Sequence, residues 1–306
     1  MPLTLLRQSL LFLSRRQELE AFLKHNPLAR QASRRFVAGE TRAEALAVTR
    51  DLNRQGFKVT LDYLGEEVTD PQQAAAAAEE YAGAIEEAAA GGLHAGISVK
   101  LSHLGIRIDA ELARRHLLQI AERAAKVERF VRVDMEGADL TAQTIDFVRE
   151  AHRQSGNVGT VIQSYLRRSS EDIDLLNRES IPVRLVKGAY LEPEESAYQE
   201  TEEVALYFMR LTEALMRDGT HPAIATHDEK LIDFAIDIAF IFGLEPNDFE
   251  FQLLYGIRRD LQEKLLRDGY RVRIYLPYGE DWYGYFMRRL AERPANLWFL
   301  LRHLKE

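Results

Sequence analysis

The sequence predicts an α/β fold, a (β/α)8 barrel of the TIM type, on three observations. Short apolar runs recur eight times along the chain, each ending on a polar or charged residue. A helix-like stretch follows each run, the alternation that builds a parallel sheet covered by helices. The runs are nearly continuous in apolar character, as expected of strands buried on both faces. In such a barrel the C-terminal strand ends face one pocket, so the polar residues collected there are the candidates for chemistry.

The elements follow in order. Residues 1–50 read as an N-terminal arm of two or three helices, punctuated by Gly39, with Thr41 as the N-cap of a helix from Arg42. Residues 51–306 then form the barrel. Val59-Thr60-Leu61 leads into Asp62, and the alanine-rich residues 72–90 form a helix that Gly91-Gly92 stops. Ile97-Ser98-Val99 leads into Lys100, with a helix over 109–127. Phe130 to Val133 leads into Asp134 (helix 141–154), and Val158 to Ile162 into Gln163 (helix 170–178). Val183 to Val186 leads into Lys187 (helix 195–218), and Ala223 to Thr226 into His227 (helix 228–243). Phe249 to Phe251 leads into Gln252 (helix 257–268), and Val272 to Ile274 into Tyr275, before a last helix over 281–292. No Pro/Gly/Ser-rich linker divides the barrel.

Composition narrows the function. A barrel takes roughly 250 residues, which the chain of 306 exceeds by an extension. The absence of cysteine excludes disulfides, thiolate metal sites and a Cys nucleophile. A net charge of −8 argues against nucleic acid and against strong attraction to anionic lipid. The apolar stretch Leu3 to Leu13 is interrupted by Arg7 and Gln8, too short for a membrane span and without a signal cleavage site. It reads as a packing helix, with a membrane-touching or oligomer-forming arm as the alternative. The location expected is cytoplasmic, at most peripheral at the inner face of the membrane. There is no G-x-G-x-x-G, no P-loop, no G-x-S-x-G and no H-E-x-x-H, and the eight histidines are scattered, so no metal site is expected.

Several constellations carry chemistry, each with a structural alternative. Arg288-Arg289 suits a carboxylate held bidentately, if the ligand lies over that helix face; otherwise the pair is solvated and pairs with Glu292. Arg184, between apolar neighbours, is a buried cation in need of a partner, and strand alternation sets it on the face opposite Lys187. Gly188 allows backbone to approach a ligand closely. Lys100 fits a Schiff-base nucleophile, a carboxylate-binding cation, or half of a salt bridge with Asp62 or Asp134. Tyr275, in Tyr275-Leu276-Pro277-Tyr278-Gly279, offers a ring face and a hydroxyl. His227 is a weaker candidate, and Asp228 is as well explained as a helix N-cap.

Ordered segments then carry a resemblance. They are Leu61-Asp62-Tyr63-Leu64-Gly65-Glu66, Ser98-Val99-Lys100-Leu101-Ser102, Val131-Arg132-Val133-Asp134-Met135-Glu136 and Gln163-Ser164-Tyr165. They continue through Arg184-Leu185-Val186-Lys187-Gly188-Ala189-Tyr190, Ala225-Thr226-His227-Asp228, Phe249-Glu250-Phe251-Gln252 and Leu254-Tyr255-Gly256, to Tyr285-Phe286-Met287-Arg288-Arg289-Leu290-Ala291-Glu292. From about Asp62 to Asn296 the chain resembles the proline dehydrogenases, closest to the small single-function bacterial type. The resemblance implies a distorted (β/α)8 barrel with FAD at the strand ends and a final helix over the mouth. It implies oxidation of L-proline to Δ1-pyrroline-5-carboxylate by hydride transfer to flavin N5, with electrons passed to a membrane quinone.

It also implies roles. Arg288 and Arg289 hold the substrate carboxylate with Lys100; Tyr275, Tyr190 and Leu254 enclose the ring; Asp134 orders Lys100; Glu66 pairs with Arg288 as a gate. Arg184 faces flavin N5. Asp134, Gln163, Lys187, Gly188, Ala189, Tyr190, Thr226, His227, Gln252 and Glu292 contact the cofactor. One departure stands out: Thr201 occupies the place of a lysine usual in the family, which removes a cation near the cofactor tail. Three other readings remain open: a Schiff-base aldolase-type barrel, a catalytically silent amino-acid sensor, and a flavoenzyme for 4-hydroxyproline or another cyclic amine. Tyr285, one turn before Arg288, would crowd a C4 hydroxyl.

Overall fold

The computed structural model describes Lys24 and residues 26–65 and 68–292, without the side chains of Pro27, Leu28 and residues 290–292. Eight parallel strands close into a barrel in chain order. They are β1 (Lys58–Tyr63), β2 (Ala95–Val99), β3 (Val131–Val133), β4 (Val158–Gln163), β5 (Val183–Val186), β6 (Ala223–Ala225), β7 (Glu250–Leu254) and β8 (Val272–Tyr278). Closure is made by β1, which pairs with β2 on one side and with β8 on the other, setting Thr60 beside Tyr275.

Before the barrel come α1 (Pro27–Ser33) and α2 (Arg42–Arg54). Thr41 caps α2 in a reciprocal box with Glu44, and the helix crosses residue 50 without a break. Between the strands lie α3 (Pro71–Ala90), α4 (Ala110–Lys126), α5 (Thr141–Ser155), α6 (Ser169–Arg178), α7 (Thr201–Asp218), α8 (Glu229–Ile241) and α9 (Arg259–Arg267). Asp70, Asp109 and Asp228 cap α3, α4 and α8 by accepting from backbone N–H groups of the first turn. The alanine run of α3 is helical, and its small buried side chains let it lie close to α4.

Two predicted helices begin late. The helix expected from 195 starts at Thr201, because residues 194–198 turn back on the segment that follows β4: Arg167 N–H donates to Ser196 O and Tyr198 N–H to Tyr165 O. The helix expected from 257 starts at Arg259, after Arg258 takes a left-handed conformation with φ of 49°. Strand ends shift too: Asp62, Gln163, Gln252 and Tyr275 lie inside strands rather than just after them.

The larger correction concerns strand patterning. The strands are buried along their length as expected, but β1, β3, β5, β7 and β8 alternate apolar and polar residues where the sequence predicts near-continuous apolar runs. Val59, Leu61, Val131, Val133, Phe251, Leu253, Val272 and Ile274 are buried among the helices in the main core. Arg132, Asp134, Arg184, Glu250, Gln252, Arg273 and Tyr275 project into the lumen, where they bond one another or strand carbonyls. Opposite charges and amides satisfy each other there, which makes a polar lumen tolerable.

The last helix, α10 (Trp282–Glu292), follows directly from the end of β8. Trp282, Tyr283, Phe286 and Met287 pack against Ala29, Phe36 and Val37 of the α1 region and against Leu64 and Ile257 at the strand ends. Trp282 Nε1 donates to Glu40 Oε1 at 3.1 Å. The N-terminal segment therefore braces α10 at the C-terminal end of the barrel.

Candidate active site

At the C-terminal end of the lumen, side chains from five strands and the two residues that follow β2 and β3 form one connected ring. Lys100, the residue after β2, sets its Nζ 2.5 Å from Asp62 Oδ1, 3.5 Å from Tyr275 OH and 3.8 Å from Asp134 Oδ2. Tyr275 OH donates to Asp134 Oδ2 at 2.7 Å. From β5, Arg184 Nη1 donates to Asp134 Oδ1 at 2.8 Å, Nη2 to Ser98 Oγ at 3.1 Å, and Nε to Gln252 Oε1 at 2.5 Å. Ser98 Oγ donates to Asp134 Oδ1 at 3.0 Å. Asp134 thus accepts from three groups and fixes all of them, while the Arg184 guanidinium carbon lies 5.2 Å from the Tyr275 ring centroid.

The electrostatics follow from burial. Burial works against charge on Lys100, but Asp62, Tyr275 and Asp134 around it hold the amine well above its usual range, so it stays an ammonium. Burial, reinforced by the Asp134 and Asp62 carboxylates, pushes the Tyr275 phenol far up, so it stays a donor. A protonated, salt-bridged amine is not a nucleophile, which counts against a Schiff-base role for Lys100. The salt bridge foreseen for Lys100 is made, with Asp62 the nearer partner.

Around the rim, Lys187 Nζ donates to Asp228 Oδ2 at 2.9 Å, and that hydrogen bond lowers the Asp228 carboxyl. Asp228 therefore caps α8 and pairs with Lys187 at once. Gly188 has φ of +122°, and a Cβ there would come 2.4 Å from the Tyr165 ring, so only glycine fits. Ala189 and Tyr190 are exposed beyond it. Thr226 Oγ1 accepts from Asp228 N–H at 3.1 Å, and His227 Nε2 accepts from Leu254 N–H at 3.1 Å. His227 and Leu254 are thereby joined across β6 and β7.

Gln163 and Gln252 are both buried, and their amides are engaged within the protein. Gln163 Nε2 donates to Glu136 O at 2.9 Å, and Gln252 Nε2 donates to Glu250 Oε1 at 2.5 Å. Arg288 and Arg289 are half-buried on α10, with the Arg289 guanidinium carbon 5.0 Å from the Tyr285 ring centroid. Glu66 and the Glu292 side chain lie outside the described residues. Thr201 is the exposed first residue of α7.

Three members of the network escaped the sequence reading: Ser98, Glu250 and Arg273. The signal that finds them is polar residues two apart in a buried strand, as in Arg132/Asp134, Glu250/Gln252 and Arg273/Tyr275. Among the described residues no group of three or more His, Asp or Glu side chains could hold a metal ion.

Comparison with known proteins agrees with this fold. The family model described as proline dehydrogenase matches residues 45–302. The chain is 40% identical over 298 residues to proline dehydrogenase 1 of Bacillus subtilis, covering 97% of this chain and 98% of the relative. It is 38% identical over 307 residues to proline dehydrogenase of Deinococcus radiodurans, covering 97% of each. The solved structure of proline utilization A from Bdellovibrio bacteriovorus, inactivated by N-propargylglycine, has the same fold with a TM-score of 0.81 at 24% identity, over 86% of this chain. A proline utilization A with proline bound in remote sites gives a TM-score of 0.73 at 29% identity over 88% of this chain. The chain spans 32% and 31% of the length of those two larger proteins.

Proposed function

This chain belongs to the proline dehydrogenase family and oxidises proline, and we propose that it does so with FAD held across the strand ends and L-proline between the lumen ring and α10. The observation that carries the reading is Arg184: a buried guanidinium held by Asp134, Ser98 and Gln252 beside the ring of Tyr275. A fixed cation at the centre of the mouth suits a flat group that gains negative charge on reduction. The rim fits the rest of such a group. Gly188 leaves bare backbone where a side chain would collide, and Lys187 stands half-exposed beside it.

When bound, FAD would accept the hydride leaving C5 of proline whose nitrogen is unprotonated, and the resulting protonated imine gives Δ1-pyrroline-5-carboxylate once it releases its N–H proton to solvent. The protein supplies position. Arg288 and Arg289 bind the substrate carboxylate, and Lys100, locked as an ammonium by Asp62, adds a fixed positive charge. Tyr275 presents its ring as a wall because its hydroxyl is tied to Asp134, and Tyr190 and Leu254 close the sides. Lys187, Gly188, Ala189, Thr226, His227 and Glu292 hold the cofactor beyond its ring, while Gln163, engaged with Glu136 O, lines it. The family resemblance assigns Glu66 to Arg288 as a gate. An amine lacking a carboxylate would forgo the contact with Arg288 and Arg289, which gives selectivity. The proposed electron acceptor is a membrane quinone, a reading that rests on the family resemblance. No described helix is long and apolar enough to cross a membrane.

Anaerobic absorbance of the purified protein before and after L-proline tests the reading. Flavin bands that bleach with proline support it. Bands that bleach only with 4-hydroxyproline move the substrate, and a colourless protein that FAD does not reconstitute ends it.

A further inference from the structure

We propose that Glu250 and Gln252 are positioning residues that together fix the guanidinium of Arg184, so that a carboxylate lower in the lumen sets the orientation of the cation at the reacting end. This deepens the flavin reading above and rests on it.

The relay is continuous. Arg273 Nε and Nη2 donate to Glu250 Oε1 and Oε2 at 2.7 and 3.1 Å, and Arg273 Nη1 is anchored on Val59 O at 3.0 Å. Glu250 Oε1 accepts from Gln252 Nε2, and Gln252 Oε1 accepts from Arg184 Nε, each at 2.5 Å. All three of Glu250, Gln252 and Arg184 are buried, at 8%, 3% and 4% exposure, so bulk water does not substitute for a lost partner.

An amide can present either end to a neighbour. Arg184 has donors only, so it needs the oxygen. Glu250, as a carboxylate, can only accept, so it takes the NH2 end and leaves the oxygen for Arg184. The charge state of Glu250 thereby selects the orientation of Gln252. Arg184's other two partners, Asp134 and Ser98, belong to the ring that also holds Tyr275 and stands near Lys100. Gln252 is the ring member whose other contact, from Nε2 to Glu250 Oε1, leads away from the substrate end, so it holds Arg184 without reference to the substrate. It also stands where two further cations crowd the lumen. Arg132 is held down at about 9 by burial and then by Arg184 itself, and Arg273, which also acts on Arg132, stands opposite Gln252 in the register of β7 and β8. Without an acceptor at Nε, this repulsion would act on a guanidinium held from one side only.

The test uses flavin-loaded protein and three variants: Gln252→Met, Glu250→Gln and the double variant. One readout needs no turnover, the midpoint potential of the bound flavin, taken against a reference dye without proline. Gln252→Met is expected to shift that potential negative and to lower kcat roughly ten- to a hundredfold, the worth of a hydrogen bond to a charged group, with KM for proline within about threefold. Glu250→Gln is expected to shift potential and kcat in the same direction, and the double variant to be no worse in kcat than Gln252→Met, because both act through one contact. A folded, flavin-loaded Gln252→Met with unchanged potential and kcat overturns the inference, as do additive losses in the double variant. If Gln252→Met does not fold, an unmoved potential in Glu250→Gln overturns it equally. A wild type that takes up no flavin overturns the cofactor reading itself, a result separate from any of these.

Discussion

Acid should unfold this protein in part through Glu250, and neutralising that residue should flatten the response. Burial alone would raise the Glu250 carboxyl. The charge and hydrogen bonds of Arg273, the Gln252 amide and the more distant Arg132 override it and bring it from 4.5 down to about 2. A carboxyl depressed in the folded state stabilises above its unfolded value, and that contribution is lost as pH falls toward the folded value. Here the unfolded chain binds the proton below pH 4.5 while the folded chain refuses it until about pH 2. The linkage amounts to about 2 kcal/mol by pH 3 and about 3 kcal/mol at pH 2. Glu250→Gln has no such proton to take up. It leaves Arg273 buried without its anion, so its stability at neutral pH should be lower, by up to about 3–5 kcal/mol. Urea unfolding at pH 7, 5, 4 and 3 separates the two effects. The wild type should lose about 2 kcal/mol more than Glu250→Gln between pH 5 and pH 3. Parallel acid slopes would show that Glu250 is not held ionised by the lumen and would refute the reasoning.

Three further outcomes are expected. Tyr275→Phe keeps the ring but removes the donor to Asp134 Oδ2. Thermal unfolding should show a loss of about 1.5–3 kcal/mol, with a rise in KM as Asp134 and Lys100 loosen. Gly188→Ala forces a Cβ onto the Tyr165 ring from a backbone at φ of +122°, so FAD content after gel filtration should fall sharply while far-UV circular dichroism stays that of a barrel. Thr201→Lys places a cation at the exposed start of α7, where the family usually has one, and fluorescence titration should show FAD held more tightly; unchanged affinity would place the cofactor tail elsewhere.

What the sequence made legible, and what it hid, has one physical cause. Strand ends were readable because an apolar run that stops at Lys100, Asp134 or Lys187 breaks its own pattern, and in a parallel barrel all such breaks face one way. Reading the strands as nearly all apolar, however, hid their second face. In Phe249-Glu250-Phe251-Gln252 the phenylalanines are buried among the helices and the polar pair lines the lumen, the same period of two that runs through Val131-Arg132-Val133-Asp134. Each lumen charge looks isolated in sequence, because its partner lies on another strand: Arg184 finds Asp134 fifty residues away, and Tyr275 finds the same carboxylate from 141 residues away. Pairing of this kind depends on closure, and no local spacing encodes it. It also explains why the mouth is stiff. Asp134 restrains Arg184, Tyr275 and Ser98 together, so displacing any one disturbs acceptors that the others share. A site that must hold a substrate ring against a cofactor needs that rigidity beneath it, and a lumen filled with apolar side chains would pack as tightly yet leave its top layer free to rotate.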